Sequence, residues 1–181
     1  MPLWALLAVL LFFLRDPERQ LPNVLGITSP ADGQVARIIE TDEKVSILIE
    51  LHVSNVHVQR TPLQGKILTV EKVAGGYQRV YFIKKKLSGD SEAIQKNART
   101  VIEMQTVNGE RARIELIAGA LARRCIAYVR PNQDVEAGQR IGMILFGSLV
   151  RFEIYSTGYA PAVKVGDKVY GNKTLILAKK D

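Results

Sequence analysis

The pair Gly147-Ser148 stands inside Leu145-Phe146-Gly147-Ser148-Leu149-Val150. Gly-Ser pairs commonly mark turns, yet this one interrupts an apolar, strand-like run. As a hydrolytic nucleophile, Ser148 would need the Gly-x-Ser-x-Gly elbow, which is absent here, and a histidine base. The other chemistry open to it is on its own chain. A self-inflicted cut at this bond would turn Ser148 into an N-terminal pyruvoyl group, a ketone that needs no bound cofactor. Proton transfers require a partner that titrates near neutrality. Only two histidines exist, His52 and His57, both within Leu51-His52-Val53-Ser54-Asn55-Val56-His57-Val58-Gln59-Arg60-Thr61-Pro62. Either could serve as an acid-base group, although a lone histidine on a strand is usually structural. Asp32, in Ser29-Pro30-Ala31-Asp32-Gly33, is a second candidate, although Asp-Gly is also an ordinary turn signal.

Composition narrows the setting. The chain has 181 residues, 47% of them hydrophobic, enough for one domain with a real core and too apolar for disorder. Its net charge of +7 suits an anionic partner. Aromatics are few and no basic-aromatic nucleic-acid signature occurs, so nucleic acid is not expected as that partner. Cys125 is the only cysteine, which rules out an internal disulfide. No Cys-x-x-Cys or His-Glu-x-x-His spacing offers a metal site.

The elements that must position these residues are mostly strands. Runs rich in β-branched residues cover Val35 to Ile39, Val45 to Val53, Lys66 to Val73, Gln78 to Lys84, Thr100 to Thr106, Ala112 to Ile117, Arg123 to Val129, Arg140 to Leu145, Leu149 to Tyr155 and Lys173 to Leu177. Asn108-Gly109 between two such runs is a strong hairpin signal. Gly75-Gly76 is a second turn, and Pro22 to Pro30 reads as a linker. Helix is expected only in the N-terminal run and near Ser91 to Lys96, with a turn near Ala118 to Ala122. A weak repeat, Val135-x-x-Gly138-x-x-Ile141 and Val163-x-x-Gly166-x-x-Val169, places glycine turns as compact barrel-sandwich folds do. The fold class is therefore mainly β, a barrel-sandwich-like domain.

Pro2 to Leu14 is apolar without a break, shorter than the roughly 20 residues that span a bilayer, and followed by Arg15-Asp16-Pro17-Glu18-Arg19. It reads as a shallow anchor, as part of a longer anchor, or as a buried tail. Membrane attachment is the favoured reading, with Arg15 and Arg19 at the headgroups on the cytoplasmic face. This divides the chain into an anchor segment, 1–22, and a domain, 23–181.

Five segments, in order, resemble the phosphatidylserine decarboxylase family in its short bacterial and archaeal form. They are Phe13-Leu14-Arg15-Asp16-Pro17-Glu18-Arg19, Ser29-Pro30-Ala31-Asp32-Gly33, Asn55 to Pro62, Ile117-Ala118-Gly119-Ala120-Leu121-Ala122-Arg123-Arg124, and Phe146-Gly147-Ser148. The resemblance implies a proenzyme that cuts itself between Gly147 and Ser148. The Ser148 hydroxyl attacks the Gly147 carbonyl, the ester eliminates, and the resulting dehydroalanine hydrolyses to pyruvoyl and ammonia. The products are a β-chain, 1–147, and an α-chain, 148–181, that remain paired without a covalent link. The pyruvoyl ketone then takes the serine amine of the lipid as a Schiff base, and carbon dioxide leaves with electron-sink stabilisation, giving phosphatidylethanolamine.

By the same resemblance His57 serves decarboxylation and Asp32 self-cleavage, as base or as the group that orients one. The long bacterial pattern has an aspartate and a second histidine where this chain has Asn55 and Arg60. Arg60, Arg123 and Arg124 are candidates for the substrate headgroup. Lys84-Lys85-Lys86 reads equally as a solvated run or as a contact with anionic lipids. Three alternatives stay open: an ether-lipid substrate of archaeal type, a member that does not cleave and only binds lipid, and a carrier-type barrel-sandwich module. The sequence does not choose between a monomer and a homo-oligomer.

Overall fold

The computed structural model of the chain describes residues 3–23, 25–78, 92–120, 124–144 and 148–180. Among these residues, two helices, α1 (Leu3–Leu14) and α2 (Glu92–Lys96), accompany fourteen strands. In order, these are β1 (Gly26–Thr28), β2 (Gly33–Glu40), β3 (Val45–Leu51), β4 (Val58–Arg60), β5 (Gly65–Val73), β6 (Arg99–Thr106) and β7 (Arg111–Ile117). Then follow β8 (Cys125–Ala127), β9 (Asp134–Val135), β10 (Arg140–Ile144), β11 (Ser148–Tyr155), β12 (Tyr159–Pro161), β13 (Lys168–Val169) and β14 (Leu175–Lys179).

The mainly β expectation holds. The long strands make one eight-stranded sheet in the order β13-β2-β3-β11-β7-β6-β5-β9. Two three-stranded sheets, β1-β14-β12 and β4-β10-β8, complete the described architecture. The Asn108-Gly109 turn joins β6 and β7 as its residues require: Gly109 has φ 86° and its N–H donates to Thr106 at 2.9 Å. Gly138 and Gly166, the glycines of the weak repeat, also take positive φ, at 86° and 97°, where a side chain would be strained. The linker expected from Pro22 to Pro30 contains β1, paired with β14. The run from Lys84 to Lys86, and the expected strand after Gln78, lie outside the described residues.

Strand alternation sets the core. Val150, Phe152 and Ile154 of β11 face inward with Ile47, Ile49 and Leu51 of β3 and Ile114 and Leu116 of β7. The intervening β11 residues, Leu149, Arg151 and Glu153, take the other face. The β4-β10-β8 sheet packs tightly on the inward face. A methyl group on Gly142 of β10 would stand 2.7 Å from a Leu116 methyl and 2.6 Å from the Ile126 carbonyl.

Helix α1 is built from leucine and alanine, good helix formers. It stops before Pro17, which forces the preceding residue out of helical geometry. Arg15 closes the last turn by donating to the Phe12 carbonyl at 2.6 Å. The helix presents Leu3, Trp4, Leu7 and Leu11 to the outside, each more than half exposed. No helix among the described residues is long and apolar enough to cross a membrane.

Candidate active site

Ser148 is the first residue of β11 and pairs with Leu51, the last residue of β3. It shares the inward face with Val150 and is fully buried. Its hydroxyl has no hydrogen-bond partner among the described residues. Gly147 lies outside them.

The loop after β3 fixes His57 relative to this serine. The chain leaves Leu51, opposite Ser148, and returns at His57, whose carbonyl accepts the Ile144 N–H at 3.1 Å. Ile144 and Ser148 flank residues 145–147. The two ends of the 52–57 loop are therefore tied to the two sides of the segment that carries the Gly147-Ser148 bond. Asn55 shapes this loop. Its side-chain oxygen accepts the His52 N–H at 2.7 Å, and its own N–H donates to the His52 carbonyl at 2.9 Å. An asparagine at this position thus closes a turn. His52 itself is exposed on the rim.

His57 is fully buried, and neither ring nitrogen has a hydrogen-bond partner among the described residues. The Phe13 ring packs edge-on against it, with centroids 5.9 Å apart and planes at 60°. Burial lowers its pKa from the ordinary 6.5, and the positive charge of Arg15 pushes the same way; the Asn55 backbone and Asp32 oppose them more weakly. The imidazole is therefore neutral at pH 7 and able to accept a proton.

Asp32 sits in the turn between β1 and β2 and is also buried. Both of its oxygens are engaged. Arg19 binds it through two nitrogens, and the Gly171 N–H donates to Oδ1 at 2.8 Å. This turn also accepts the Arg60 N–H at the Pro30 carbonyl, 2.9 Å away. Asp32 therefore joins the 15–19 segment to the turn before β14, across the expected cut. The sequence reading put Arg19 at the lipid headgroups; here its side chain is only 9% exposed.

The arginines divide between two ends of the small sheet. Arg60 pairs with Arg140 across β4 and β10. Its guanidinium donates to Asp16 at 2.6 Å and to the Gly138 carbonyl at 3.1 Å, and Arg140 also binds Asp16. A groove of about 620 Å³ lies here, lined by Glu18, Arg19, Gln20, Arg60, Arg140 and Lys173. Arg124 lies at the opposite end, next to Cys125, which pairs with Ile144. It is exposed and edges a pocket of about 450 Å³ lined also by Arg99, Thr100 and Ala118. The register Leu149 to Ile117 sets Ala118 beside Ser148. Arg123 lies outside the described residues. Cys125 is no nucleophile, since burial pushes its thiol up to about 12. No group of three potential metal ligands occurs among the described residues.

The sequence singles out Ser148, His57 and Asp32 as candidates but not the residues that contact them. Phe13, Arg15, Asp16 and Arg19 all contact site or near-site residues, and the one signal for them was the segment Phe13 to Arg19.

The sequence model of the family described as phosphatidylserine decarboxylase matches residues 6–177. The phosphatidylserine decarboxylase proenzyme of Burkholderia ambifaria is 33% identical over 97% of this chain and 81% of its own length. Proteins of the same name from Burkholderia vietnamiensis and Burkholderia multivorans are 34% and 33% identical over the same shares. Matches of this extent cover both the 52–57 loop and the start of β11, and the chain belongs to the phosphatidylserine decarboxylase family.

Proposed function

We propose that this chain is a proenzyme that cuts itself between Gly147 and Ser148 and then converts phosphatidylserine to phosphatidylethanolamine and carbon dioxide. The observation that carries the reading is the Ser148 hydroxyl, buried and without a partner among the described residues. A buried hydroxyl left unpaired costs about 1–3 kcal/mol. A group kept at that cost at the family's cleavage position fits a nucleophile better than a packing residue. The relatives' name, proenzyme, agrees with self-processing.

After cleavage, the pyruvoyl group formed from Ser148 supplies a ketone that takes up the substrate amine and stores the electrons released with carbon dioxide. The chain's own residues do the rest. Neutral His57 accepts the proton that the substrate ammonium must lose before it can react. The resulting imidazolium can return a proton to the carbon that lost carbon dioxide. Leu51 and Phe13 help keep the site apolar and dry. Of the candidate headgroup arginines among the described residues, Arg60 and Arg124, it is Arg124 that shares an end of the sheet with His57 and would meet the lipid phosphate. Asp32, held by Arg19 and Gly171, orients the turn rather than moving protons. The α-chain, 148–181, stays bound because β11 lies between β3 and β7, β14 pairs with β1 and β13 pairs with β2.

Segment 1–22 anchors the domain, 23–181, to the membrane. The exposed apolar surface of α1 supports attachment on the cytoplasmic face. The domain itself fits a barrel-sandwich description in its layered sheets and glycine turns.

The test is intact mass under denaturing conditions together with carbon dioxide release from phosphatidylserine vesicles. Two chains split between 147 and 148, the smaller carrying an N-terminal pyruvoyl, are expected. A single uncut chain would overturn the reading.

A further inference from the structure

We propose that Phe13 and Arg15, at the junction of the apolar helix and the domain, are positioning residues that roof His57 and lock its loop, so that the helix and the catalytic histidine move as one body. The inference rests on the role given above to His57. Phe13 belongs to the last turn of α1, and its ring packs edge-on against the imidazole at 5.9 Å. Arg15 grips both sides of the junction. Its guanidinium stacks over the Phe12 ring at 3.8 Å and donates to the Phe12 carbonyl. It also donates to the Ser54 carbonyl, in the turn that Asn55 closes. One side chain thus clamps the end of the helix to the loop that carries His57.

This contact does more than fill space. His57 is fully buried, although His52, Val53 and Ser54 of the same loop are exposed. A side chain so near a solvent-exposed turn stays dry only if something covers it, and Phe13 is the ring seen to do so. Among the described residues, the charges that act on the imidazole are Arg15, from the end of the helix, and Asp32, from the β1-β2 turn, with the Asn55 backbone adding a polar contact. Both parts of the junction, the apolar cover and the cation, favour the neutral ring. Loss of either lets the imidazole gain a proton more easily. A disturbance of the helix, such as its withdrawal from a bilayer, would therefore reach the proton-transfer group directly.

The experiment uses the full-length protein in detergent micelles. With only two histidines, their ring signals can be followed by NMR across pH and assigned with His52→Gln. In Phe13→Ala the His57 midpoint should rise by at least about half a pH unit, as expected for a ring opened to water. Arg15→Gln should raise it less. Phe13→Leu, which keeps an apolar cover, should return most of the wild-type midpoint and shows that the effect is not general unfolding. A His57 midpoint unchanged in Phe13→Ala, or shifted as far by leucine as by alanine, would overturn the inference. In parallel, decarboxylation by Phe13→Ala should fall by about tenfold or more, in keeping with the cost of misplacing a catalytic group. The acid limb of its pH profile should follow the NMR midpoint. If the midpoint moves and the profile does not, the roof stands and the catalytic role of His57 falls.

Discussion

Two polar clusters in this molecule are treated in opposite ways, one fully buried and one that reaches the surface at Arg140. At one end of the β4-β10-β8 sheet, the Ser148 hydroxyl and both nitrogens of His57 have no partner among the described residues. Toward the other end, Asp16, Arg19, Asp32, Arg60 and Arg140 bind one another in ion pairs. The paired cluster holds the 15–19 segment, the β1-β2 turn and the turn before β14 in register. The unpaired groups hold nothing. Leaving them unpaired costs about 1–3 kcal/mol each, a cost expected where reactivity is needed and geometry is supplied from elsewhere. Under the proposed function, the difference separates the groups assigned to chemistry from those that place them, although all of them except Arg140 lie in the segments that resemble the family.

The comparison breaks most cleanly at Ser148. Ser148→Ala should leave one uncut chain with no measurable decarboxylation. Because the hydroxyl has no partner among the described residues, stability should be unchanged or higher by about 1 kcal/mol, read as the midpoint of chemical denaturation. A marked loss of stability would show that the hydroxyl is bonded in solution and belongs with the paired cluster.

His57 comes next. His57→Ala should lower turnover by about 10²–10⁴, the usual worth of a positioned acid-base group, while much of the chain is still cut. The two are read separately, as carbon dioxide release per cut chain and as the fraction cut by intact mass. Equal loss of both would give His57 a part in self-cleavage as well.

The paired cluster predicts the reverse signature. Asp32→Ala leaves the nearly buried Arg19 without its carboxylate, and breaking a buried pair in this way costs about 3 kcal/mol or more. Stability should fall sharply, and the double variant Arg19→Met, Asp32→Leu should recover part of it. If Asp32→Asn stays as stable as the wild type yet fails to cut, Asp32 is a base and the division drawn here is wrong at that residue.

The two clusters were unequally legible in the sequence. Ser148 and His57 announce themselves locally, through a Gly-Ser pair in an apolar run and one of only two histidines. The long strands were equally plain, because alternation and the Asn108-Gly109 turn are local signals. The short strands β1, β4, β9, β12 and β13 escaped, since two or three residues have no period of their own and become strands only when a distant partner bonds them. The ion pairs escaped for the same reason. Arg19 and Asp32 are close in sequence, but nothing in either says that Gly171 will complete the cluster. Arg60 reads as a headgroup candidate from its planar fork, and its partner, Asp16, lies far back in the chain. That distinction can be measured: Arg60→Gln should cost about 1 kcal/mol of stability, as partly exposed pairs do, and leave KM for the lipid nearly unchanged. Arg124→Gln should raise KM and leave stability alone.

The smallest expected effect is the dependence of folding on pH, and it tests the unpaired state of His57 without any turnover. The folded protein holds the imidazole below its ordinary 6.5, mainly by burial and next by Arg15, so the unfolded chain protonates first as pH falls. The stability associated with this group is complete above pH 6.5 and is lost as pH drops through that value toward the lower folded midpoint. Denaturation midpoints of Ser148→Ala and of Ser148→Ala, His57→Gln should therefore run apart between neutrality and mildly acid pH, with the histidine-containing protein losing more. Parallel curves would mean that His57 finds a charged partner on acidification, and the imidazole would then belong with the residues that hold the fold together.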